Sequence, residues 1–496
     1  MNLKSLLAKP FANVIYNKTR KGMLLAVQHQ QQILKSLLKT GSATQFGKDH
    51  QMLQVTDQLG FAQAIPIRDY EQLKPYIELI KQGKDNILWK GKPIYFAKTS
   101  GTTSGAKYIP ITKDSIPNHI NTARNALFCY MAETGNAAFA NGKMIFLSGS
   151  PILERTGNIP TGRLSGIVNH HIPAYLRSNQ LPKYETNCME DWEAKLDKIV
   201  EETIQKDMTL ISGIPPWMQM YFDRLIEKSG KKVGDLFPNF SVMVQGGVNF
   251  DPYKARIFES IGRKIDTIEL FPASEGFFAF QDSQTAEGML LNTNSGIYFE
   301  FVPANEIFNE YPSRLSLEAV KLGENYALII NSNAGLWGYN IGDTVKFVSL
   351  NPYRIIVTGR TKHFISAFGE HVIGEEVEAA MQATIVQDPA KITEFTIAPM
   401  IQQGEGKSYH EWFIEFDQQP QDLSAFADVL NQFMRMKNIY YDDLIQGNIL
   451  LPLKISVVRK NGFIDCMKSL GKLGGQNKVP RLSNDRKLAV ELQHFI

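Results

Sequence analysis

Short apolar runs of the kind that form β-strands alternate with helical stretches through the first two thirds of the chain. This alternation constrains the fold more than any other feature. Each run ends in turn residues, often glycine or serine, and helical spacing of apolar residues follows several of them. The runs begin at Met144, Met208, Val242, Ile265 and Tyr326. Strands that alternate with helices indicate an α/β architecture, in which ligands bind at the carboxyl ends of the strands.

The pattern changes after Gly359 and Arg360. A helix, two strands, a second helix and a further strand are predicted there, over residues 375–383, 395–398, 411–416, 423–436 and 453–458. We therefore expect an α/β protein with a large N-terminal domain over residues 1–358, whose β-sheets are flanked by helices. A small α+β domain is expected over residues 359–496.

Charge and cysteine content limit the classes of partner. The chain has 53 basic and 50 acidic residues without a long run of one sign, which argues against a nucleic acid or a membrane as a partner. We expect the amphipathic N-terminal helices to cover a core rather than to anchor the chain, and no apolar run approaches the roughly 20 residues of a membrane span.

Cys129, Cys188 and Cys466 are far apart, which suggests neither disulfides nor zinc and favours a cytoplasmic location. The oligomeric state does not follow from the sequence.

The segment from Lys98 to Thr112, KTSGTTSGAKYIPIT, combines two glycines, several hydroxyl side chains and two lysines after an apolar run. Glycine lets the backbone approach a ligand, and successive N–H groups and hydroxyls can surround phosphate oxygens that a lysine neutralises. The spacing of Gly101, Gly105 and Lys107 differs from the Walker pattern. The segment is therefore either a phosphate-binding loop of another type or a Ser/Thr-rich turn before a strand.

Three further segments gain meaning beside this loop. Residues 271–276 (FPASEG) end a predicted strand with a carboxylate, residues 339–343 (YNIGD) place an aspartate after a glycine turn, and residues 474–481 form the sequence GGQNKVPR. In this order they resemble the adenylate-forming superfamily of acyl-CoA synthetases, luciferases and adenylation domains. The chain is more closely similar to the auxin-responsive acyl acid amido synthetases of plants and to their bacterial relatives, through nearly its whole length.

The resemblance implies a ligase that uses ATP and Mg²⁺ and acts on small molecules. Such an enzyme converts a carboxylic acid to an acyl adenylate, releases pyrophosphate and transfers the acyl group to an amine such as an amino acid. The resemblance also implies a mobile C-terminal domain that rotates about the segment near Arg360 between the two half-reactions. Two alternatives stay open, an acyl-CoA ligase that uses the same adenylate and a non-catalytic binding protein that retains the fold.

The resemblance assigns roles at the phosphates of ATP. The phosphate loop would hold the β- and γ-phosphates, where charge accumulates as pyrophosphate leaves. Its residues are Ser100, Gly101, Thr102, Thr103, Ser104, Gly105 and Lys107. Glu275, next to Ala273 and Ser274 of the ATP-binding set, would help to hold Mg²⁺, or it caps a following helix. Lys478 would stabilise the negative charge on the α-phosphate, or it is a surface lysine.

The resemblance also implies contacts to the nucleoside. Phe271 would offer a flat face to adenine, or it is a core aromatic residue. Gly246 and Gly247 would let adenine approach the backbone, or they form a simple turn. Asp343 would accept hydrogen bonds from both ribose hydroxyls, or it is a turn aspartate. Tyr339 and Arg360 complete the expected ATP-binding set.

Three positions depart from the family pattern. Asn340 stands where the family has the arginine of YRxGD, Tyr108 stands at a lysine of the plant loop, and Asn477 replaces the tyrosine of QYKVPR. Because asparagine lacks the fork of donors that arginine has, the geometry around Asp343 is expected to differ. The neighbouring Lys107 is expected to supply the charge that Tyr108 lacks.

Other catalytic classes find little support. His170 and His171 are adjacent, so they do not share one face of a helix or strand, and no paired metal site is expected. The sequence contains neither G-x-S-x-G nor H-E-x-x-H, which argues against a serine hydrolase and a zinc protease of these types. The sequence does not name the acid, the amine acceptor or a base for the attack of the amine.

Overall fold

The computed structural model describes residues 3–496, apart from residues 100–105, 173–176, 190, 248–249, 362–363, 366–369, 371, 402–407, 447–449, 473–477 and 484. Contacts divide the chain into two compact units. The larger unit contains Met1–Phe250, Ile257–Ile341 and Val345–Ile356. The smaller unit contains Asp251–Arg256, Gly342–Thr344 and Val357–Ile496.

Seventeen α-helices lie in the described part of the chain. In the first half they are α1 (Leu3–Met23), α2 (Ala26–Gly41), α3 (Gln45–Asp49), α4 (Gln58–Ala64), α5 (Tyr70–Lys81), α6 (Ile116–Thr134), α7 (Leu164–His170), α8 (Tyr184–Asn187), α9 (Trp192–Thr203), α10 (Pro215–Ser229) and α11 (Val233–Leu236). They continue with α12 (Asp251–Ile261), α13 (Gly374–Gln387), α14 (Leu423–Lys437), α15 (Ile439–Gln446), α16 (Gly462–Ser469) and α17 (Lys487–Leu492). None of these helices has the length and apolar character needed to cross a bilayer.

The strands of the first half are β1 (Tyr95–Thr99), β2 (Lys107–Ile111), β3 (Lys143–Phe146), β4 (Glu154–Thr156), β5 (Ile159–Gly162), β6 (Gln180–Leu181), β7 (Met208–Gly213), β8 (Val242–Gly246), β9 (Asp266–Ala273) and β10 (Gly276–Phe280). The later strands are β11 (Met289–Leu291), β12 (Ile297–Pro303), β13 (Asn325–Ser332), β14 (Tyr339–Leu350), β15 (Tyr353–Arg360), β16 (Phe364–Ile365), β17 (Val372–Ile373), β18 (Lys391–Met400), β19 (Tyr409–Gln418) and β20 (Lys454–Val458).

An eleven-stranded sheet has the order β12-β13-β14-β15-β11-β10-β9-β8-β7-β3-β6. Its last five strands, β9-β8-β7-β3-β6, pair in parallel, so their carboxyl ends lie at the same edge. A four-stranded sheet has the order β2-β1-β5-β4. The α/β class expected from the alternating pattern is confirmed, and each run named from the sequence corresponds to a strand.

Helix ends in the larger unit follow ordinary capping chemistry. The Asp69 side chain accepts a hydrogen bond from the backbone of Gln72, and the Gln72 side chain accepts one from Asp69, which forms a capping box at the start of α5. Asp191 caps α9 through the backbone of Ala194. Gly230 adopts a left-handed conformation at the end of α10, with φ of 67°. The sequence thus specifies these helix boundaries locally.

Two apolar clusters form the core of the larger unit. In one, α2 contributes Ile33, Leu34 and Leu37, which pack with residues of β12 and β13. In the other, Val242 and Val244 of β8 pack with buried residues of α6. Because alternate residues of a strand point to the same face, Val242 and Val244 identify the face of β8 that the helix covers.

The smaller unit contains a three-stranded sheet of order β18-β19-β20. Strands β18 and β19 are antiparallel, whereas β19 and β20 are parallel. Trp412 of β19 is fully buried and stacks on Phe395 of β18 with ring centroids 5.8 Å apart. Residues of α13 and α14 complete this core, including Val377, Met381, Phe426 and Leu430. The order of helices and strands predicted after Arg360 is confirmed in this unit.

Candidate functional site

The glycine-rich loop joins the two strands of a hairpin. Strands β1 and β2 are antiparallel, and Thr99 lies opposite Lys107. The loop residues Ser100, Gly101, Thr102, Thr103, Ser104 and Gly105 lie outside the described residues. The structure therefore places the predicted Lys107 at the first position of the strand that follows the loop, and the geometry of a phosphate-binding loop stays a prediction.

Aromatic and basic side chains surround the base of this hairpin. The backbone N–H of Tyr108 donates to the hydroxyl of Tyr70 over 2.9 Å, and burial raises the pKa of Tyr70 to about 12. The Lys107 amine lies 5.8 Å from the centroid of the Tyr70 ring. The Lys81 amine lies over the ring of Tyr108 at 3.7 Å, within cation–π range. Lys81, which the sequence reasoning missed, thus places a second positive charge beside Tyr108.

Gly246 ends β8 at the edge where the parallel strands finish. A Cβ atom at this position would lie 2.3 Å from the carbonyl oxygen of Leu270 on β9. Because no side chain tolerates that distance, the contact with β9 already requires glycine here without any ligand. Gly247 has a φ of 85°, in the left-handed region that glycine adopts readily. The turn alternative for this pair therefore has a direct packing explanation.

Ser274 and Glu275 form a two-residue turn between β9 and β10, since Ala273 pairs with Gly276 in the antiparallel register. This turn lies at the carboxyl end of β9. Ser274 is buried, whereas Glu275 is partly exposed. The hydroxyl of Tyr339 donates to Oε1 of Glu275 over 3.4 Å. Glu275 therefore ends a strand, as predicted, and its position in a hairpin turn excludes the alternative of a helix cap.

Tyr339 and Phe271 are both embedded in the core. The side chain of Tyr339 is almost fully buried, and desolvation, together with the negative charge of Glu275, holds its pKa well above the usual value for tyrosine. Phe271 is 7% exposed and packs against Phe278 in a T-shaped arrangement, with ring centroids 5.1 Å apart. These contacts match the core-aromatic alternative for Phe271, and its proposed stacking on adenine stays a prediction.

In the smaller unit, Asp343 forms an ion pair with Arg360. The Nε atom of Arg360 lies 2.9 Å from Oδ1 of Asp343. Gly342, with φ of 86°, precedes the aspartate, and its carbonyl oxygen accepts a hydrogen bond from the backbone of Thr361 over 2.7 Å. The turn predicted from the YxxGD sequence thus brings Asp343 next to Arg360, which follows Gly359, the expected first residue of the smaller domain.

Lys478 belongs to the same electrostatic group. Desolvation lowers the pKa of Lys478 to about 8, the negative charge of Asp343 opposes this shift, and the positive charge of Arg360 adds to it. Lys478 is nonetheless exposed to solvent. A carboxylate, a guanidinium and an amine from three separate segments therefore lie close enough to influence one another. The structure thus groups Lys478, predicted at the α-phosphate, with Asp343, predicted at the ribose, and with Arg360 of the predicted ATP-binding set.

Arg481, three residues after Lys478, is the centre of a hydrogen-bonded network that the sequence reasoning missed. Its Nε donates to Glu378 over 3.1 Å, and a second guanidinium nitrogen pairs with Glu394. The same group donates to the carbonyl oxygen of Phe395 over 2.9 Å and to the hydroxyl of Tyr253 over 3.0 Å. The hydroxyl of Tyr253 in turn donates to Glu394 over 2.9 Å.

This network fixes the chain immediately after the lysine. The backbone of residue 397 on β18 accepts from Ser483 over 3.0 Å and donates to the carbonyl oxygen of Arg481 over 3.0 Å, so residues 481–483 follow β18. The only sequence signal for this role was that Arg481 ends the QNKVPR segment. Its carboxylate partners come from α13 and β18, which are distant in sequence and could not be matched to it from spacing.

The described residues contain no cluster of three or more histidine, cysteine, aspartate or glutamate side chains suited to hold a metal ion. Glu275 is thus a single carboxylate at its turn. Magnesium is commonly held by one or two carboxylates together with the phosphates of a substrate. The donor set at Glu275 fits a metal ion that arrives with a nucleotide, and it does not suit a resident all-protein metal site.

Comparison with known proteins gives consistent results along the chain. The jasmonoyl–L-amino acid synthetase JAR4 of Nicotiana attenuata is 21% identical over 539 residues, covering 93% of this chain and 92% of that protein. The solved structure of the acyl acid amido synthetase AtGH3.15 in complex with 2,4-DB superposes with a TM-score of 0.79, 15% identity, and coverage of 97% of this chain and 95% of that one. A 2-hydroxyisobutyryl-CoA ligase in the postadenylation state gives a TM-score of 0.58 at 14% identity, with coverage of 95% and 91%.

Family models match three parts of the chain in order. Residues 16–185 match the GH3 family N-terminal domain, residues 290–360 match the central domain, and residues 375–487 match the C-terminal domain. Together these matches cover well over half of the sequence. The central match ends at Arg360, and the C-terminal match includes both Lys478 and Arg481. The chain belongs to the GH3 family.

Proposed function

We propose that this protein is an ATP-dependent carbon–nitrogen ligase. It adenylates a carboxylic acid and transfers the acyl group to the amine of an amino acid. The observation on which the proposal depends is the grouping of Lys478 with Asp343 and Arg360 in a chain of the GH3 family. The activity named for the JAR4 synthetase, which joins a carboxylic acid to an amino acid, supports the choice of acceptor.

In the first half-reaction, a carboxylate oxygen of the acid attacks the α-phosphorus of ATP. The new P–O bond forms as the bond to the bridging oxygen breaks, and pyrophosphate leaves with that bonding electron pair. Negative charge develops on the α-phosphate oxygens during this displacement. A protonated Lys478 is suited to stabilise that charge, since preorganised cations contribute most where charge develops in the transition state.

Asp343 is the group we assign to the ribose. A carboxylate has two oxygens that can accept hydrogen bonds from two adjacent hydroxyls. The ion pair with Arg360 uses Oδ1 and holds the carboxylate in one orientation, because the guanidinium has donors in a fixed plane. Arg360 thereby orients Asp343 and neutralises part of its charge near the phosphates.

Magnesium and the remaining phosphates are assigned to the larger unit. Glu275 would hold Mg²⁺, whose role is to neutralise phosphate charge, while Lys107 and the loop 100–105 would bind the pyrophosphate end of ATP. The Tyr339 hydroxyl donates to one oxygen of Glu275 and restrains the orientation of the carboxylate.

In the second half-reaction, the nitrogen of an unprotonated amine attacks the acyl carbon. The C–N bond forms, the bond between the acyl carbon and the phosphate oxygen breaks, and AMP leaves. The nitrogen loses one proton, which we assign to water or to the phosphate of the departing AMP. An acyl-CoA ligase would form a thioester at the same step, so the nucleophile distinguishes the two activities.

A carboxylate-dependent exchange of labelled pyrophosphate into ATP tests the first half-reaction. We expect exchange with at least one member of a panel of aryl, indole, aliphatic and fatty acids, and its loss in the Lys478→Ala variant. The adenylate formed with that acid is then offered a mixture of amino acids or CoA. Amide formation supports the proposal, whereas thioester formation without amide would identify an acyl-CoA ligase, and no exchange with any acid would favour a non-catalytic protein.

We place the enzyme in the cytoplasm. Cys129 and Cys466 are buried thiols, and Cys188 is partly exposed, with no disulfide among them. Free thiols at separate positions suit a reducing compartment. The substrates are then small molecules of that compartment, a carboxylic acid and an amino acid.

A further inference from the structure

Helix α1 packs against the core of the larger unit with one face only. Ala12 on that face is fully buried, and Tyr16 and Met23 pack against the same apolar cluster. Thr19, on the same side, lies 3.8 Å from the thiol of Cys129 on α6. The inner face of α1 is therefore fully explained by core packing, as the amphipathic pattern predicts.

Large apolar side chains on the opposite face of α1 are exposed to solvent. Phe11 is 69% exposed, Val14 is 66% exposed, and Leu24, directly after the helix, is 76% exposed. The exposed Lys18 and Lys21 lie between them. Positions 11, 14, 18 and 21 follow the spacing of one helical face. We call these five residues the outer face of α1.

The N-terminal region that contains α1 has basic residues but no acidic ones. The first 48 residues contain eight basic residues and no aspartate or glutamate, and the first acidic residue is Asp49. The rest of the chain has 45 basic against 50 acidic residues, a formal charge of −5. The near balance of the whole chain thus conceals a strongly basic N-terminal segment.

The basic residues beside the outer face are not neutralised by ion pairs. None of the salt bridges in the described part of the chain includes Lys18, Arg20 or Lys21. Arg20 lies over the ring of Tyr16, at 5.8 Å from its centroid. The positive charge of this helix is therefore available to an external anion.

The combination of side chains identifies the partner. A nucleic acid would attract the lysines, but phosphate contacts give no free-energy gain to an exposed phenylalanine or valine. An amphipathic helix with apolar residues and lysines on its outward side is suited to the boundary between headgroups and acyl chains. There the apolar groups enter the acyl region, while the lysine stems extend so that their amines reach anionic headgroups.

We propose that the outer face of α1 docks this protein on the surface of a bilayer that contains anionic phospholipids. The helix lies on the bilayer and does not span it, in keeping with the absence of any described helix long and apolar enough to cross one. Phe11, Val14 and Leu24 insert among the acyl chains, and Lys18 and Lys21 contact the headgroups. The inference does not depend on the proposed ligase activity, because the residues of α1 are not among those assigned to ATP.

Co-sedimentation of the full chain with vesicles tests the proposal. We expect binding to vesicles of phosphatidylcholine and phosphatidylglycerol in about a 2:1 ratio and little binding to phosphatidylcholine alone. Raising the salt from about 0.1 M to about 1 M shortens the Debye length from about 10 Å to about 3 Å and should release most of the protein. Equal binding to both kinds of vesicle, or binding to neither, would overturn the proposal.

Two pairs of substitutions separate the apolar from the electrostatic contribution. Lys18→Gln with Lys21→Gln should weaken binding to the anionic vesicles about 30-fold, at about fivefold for each lysine. Phe11→Ser with Val14→Ser should weaken it about tenfold or more. The matched controls are Lys437→Gln with Lys460→Gln and Val386→Ser with Met436→Ser, which change exposed side chains of the smaller unit.

We expect both control pairs to bind as the unchanged protein does. Equal losses in the control and α1 pairs would show that overall charge and surface apolarity decide binding, and would contradict docking through α1. Full vesicle binding by the Phe11→Ser, Val14→Ser pair, or binding to a fluorescent RNA duplex in preference to vesicles, would also contradict it. Circular dichroism and pyrophosphate exchange in solution should be unchanged in every variant, so a folding defect or the failure of the ligase assignment is recognised separately.

Discussion

The Nε atom of Arg360 lies 2.9 Å from Oδ1 of Asp343, so the aspartate that we assign to the ribose belongs to an ion pair. The side chain of Asp343 is largely buried, whereas that of Arg360 is half exposed. The fixed plane of the guanidinium donors restrains the orientation of this carboxylate. We expect the ribose hydroxyls of a nucleotide to meet Asp343 in that orientation.

Replacement of Asp343 by alanine should weaken ATP binding about tenfold to 100-fold. Hydrogen bonds to a charged group contribute about 1.5–3 kcal/mol, and the substitution also leaves Arg360 without its carboxylate. Isothermal titration with a non-hydrolysable ATP analogue measures the dissociation constant. Asp417→Ala, at an exposed carboxylate of the same unit, is the control and should bind normally. An unchanged affinity in the Asp343→Ala variant would contradict the ribose assignment.

Lys478 predicts the pH dependence of the first half-reaction. Its amine must be protonated to stabilise the α-phosphate, and desolvation lowers its pKa to about 8. The value of kcat/KM for pyrophosphate exchange, which reports groups of the free enzyme, should therefore fall as the pH rises through about 8. Lys478→Arg keeps the charge at every pH and should abolish this fall. A decline that persists in that variant belongs to another group.

Removal of the amine is a separate test. Lys478→Ala should slow pyrophosphate exchange by about 10² or more, as for the loss of a group that acts in the transition state. Binding of ATP should stay within a few-fold of that of the unchanged protein. An equal loss in binding and rate would instead identify Lys478 as a residue that binds ATP in the ground state.

The fold could be predicted where local pattern and packing agree. The runs from Val242 and Ile265 are strands because β-branched and apolar residues follow one another before glycine or proline. The position of Glu275 directly after β9 was also predicted, because the turn between β9 and β10 consists of only two residues. Such features depend on neighbours in the sequence, and a single sequence is sufficient to recognise them.

The site was less predictable where its geometry depends on distant residues. Gly246 was assigned to adenine, yet its lack of a side chain is required by the carbonyl oxygen of Leu270, which belongs to the next strand. The network of Arg481 depends on Tyr253, 228 residues earlier in the chain. No periodicity or spacing in one sequence indicates such partners, because the fold alone brings them together.

The packing explanation for Gly246 predicts a loss of stability in the Gly246→Ala variant. A Cβ atom 2.3 Å from a backbone oxygen forces the strands apart, and overpacking of this kind costs about 1–3 kcal/mol. The melting temperature measured without ATP should therefore fall. Gly22→Ala is the control, because its Cβ would meet its nearest neighbour at 3.6 Å and helix formation favours alanine. An unchanged melting temperature with weaker ATP binding would restore the adenine assignment.

Arg481 should stabilise the smaller unit and position Lys478 at the same time. Arg481→Gln leaves Glu378 and Glu394 without their cation in a buried site, which should cost about 3–5 kcal/mol in the free energy of unfolding. Tyr253→Phe removes only the hydroxyl between Arg481 and Glu394 and is expected to fold, at a cost of about 1–3 kcal/mol. In this milder variant, kcat for pyrophosphate exchange should fall several-fold while KM for ATP is nearly unchanged, because the segment that contains Lys478 is held less firmly. The Tyr253→Phe variant combined with Lys478→Ala should then be no slower than Lys478→Ala alone, since both changes act through the same amine. Additive losses in the double variant would show that the network affects adenylation by another route.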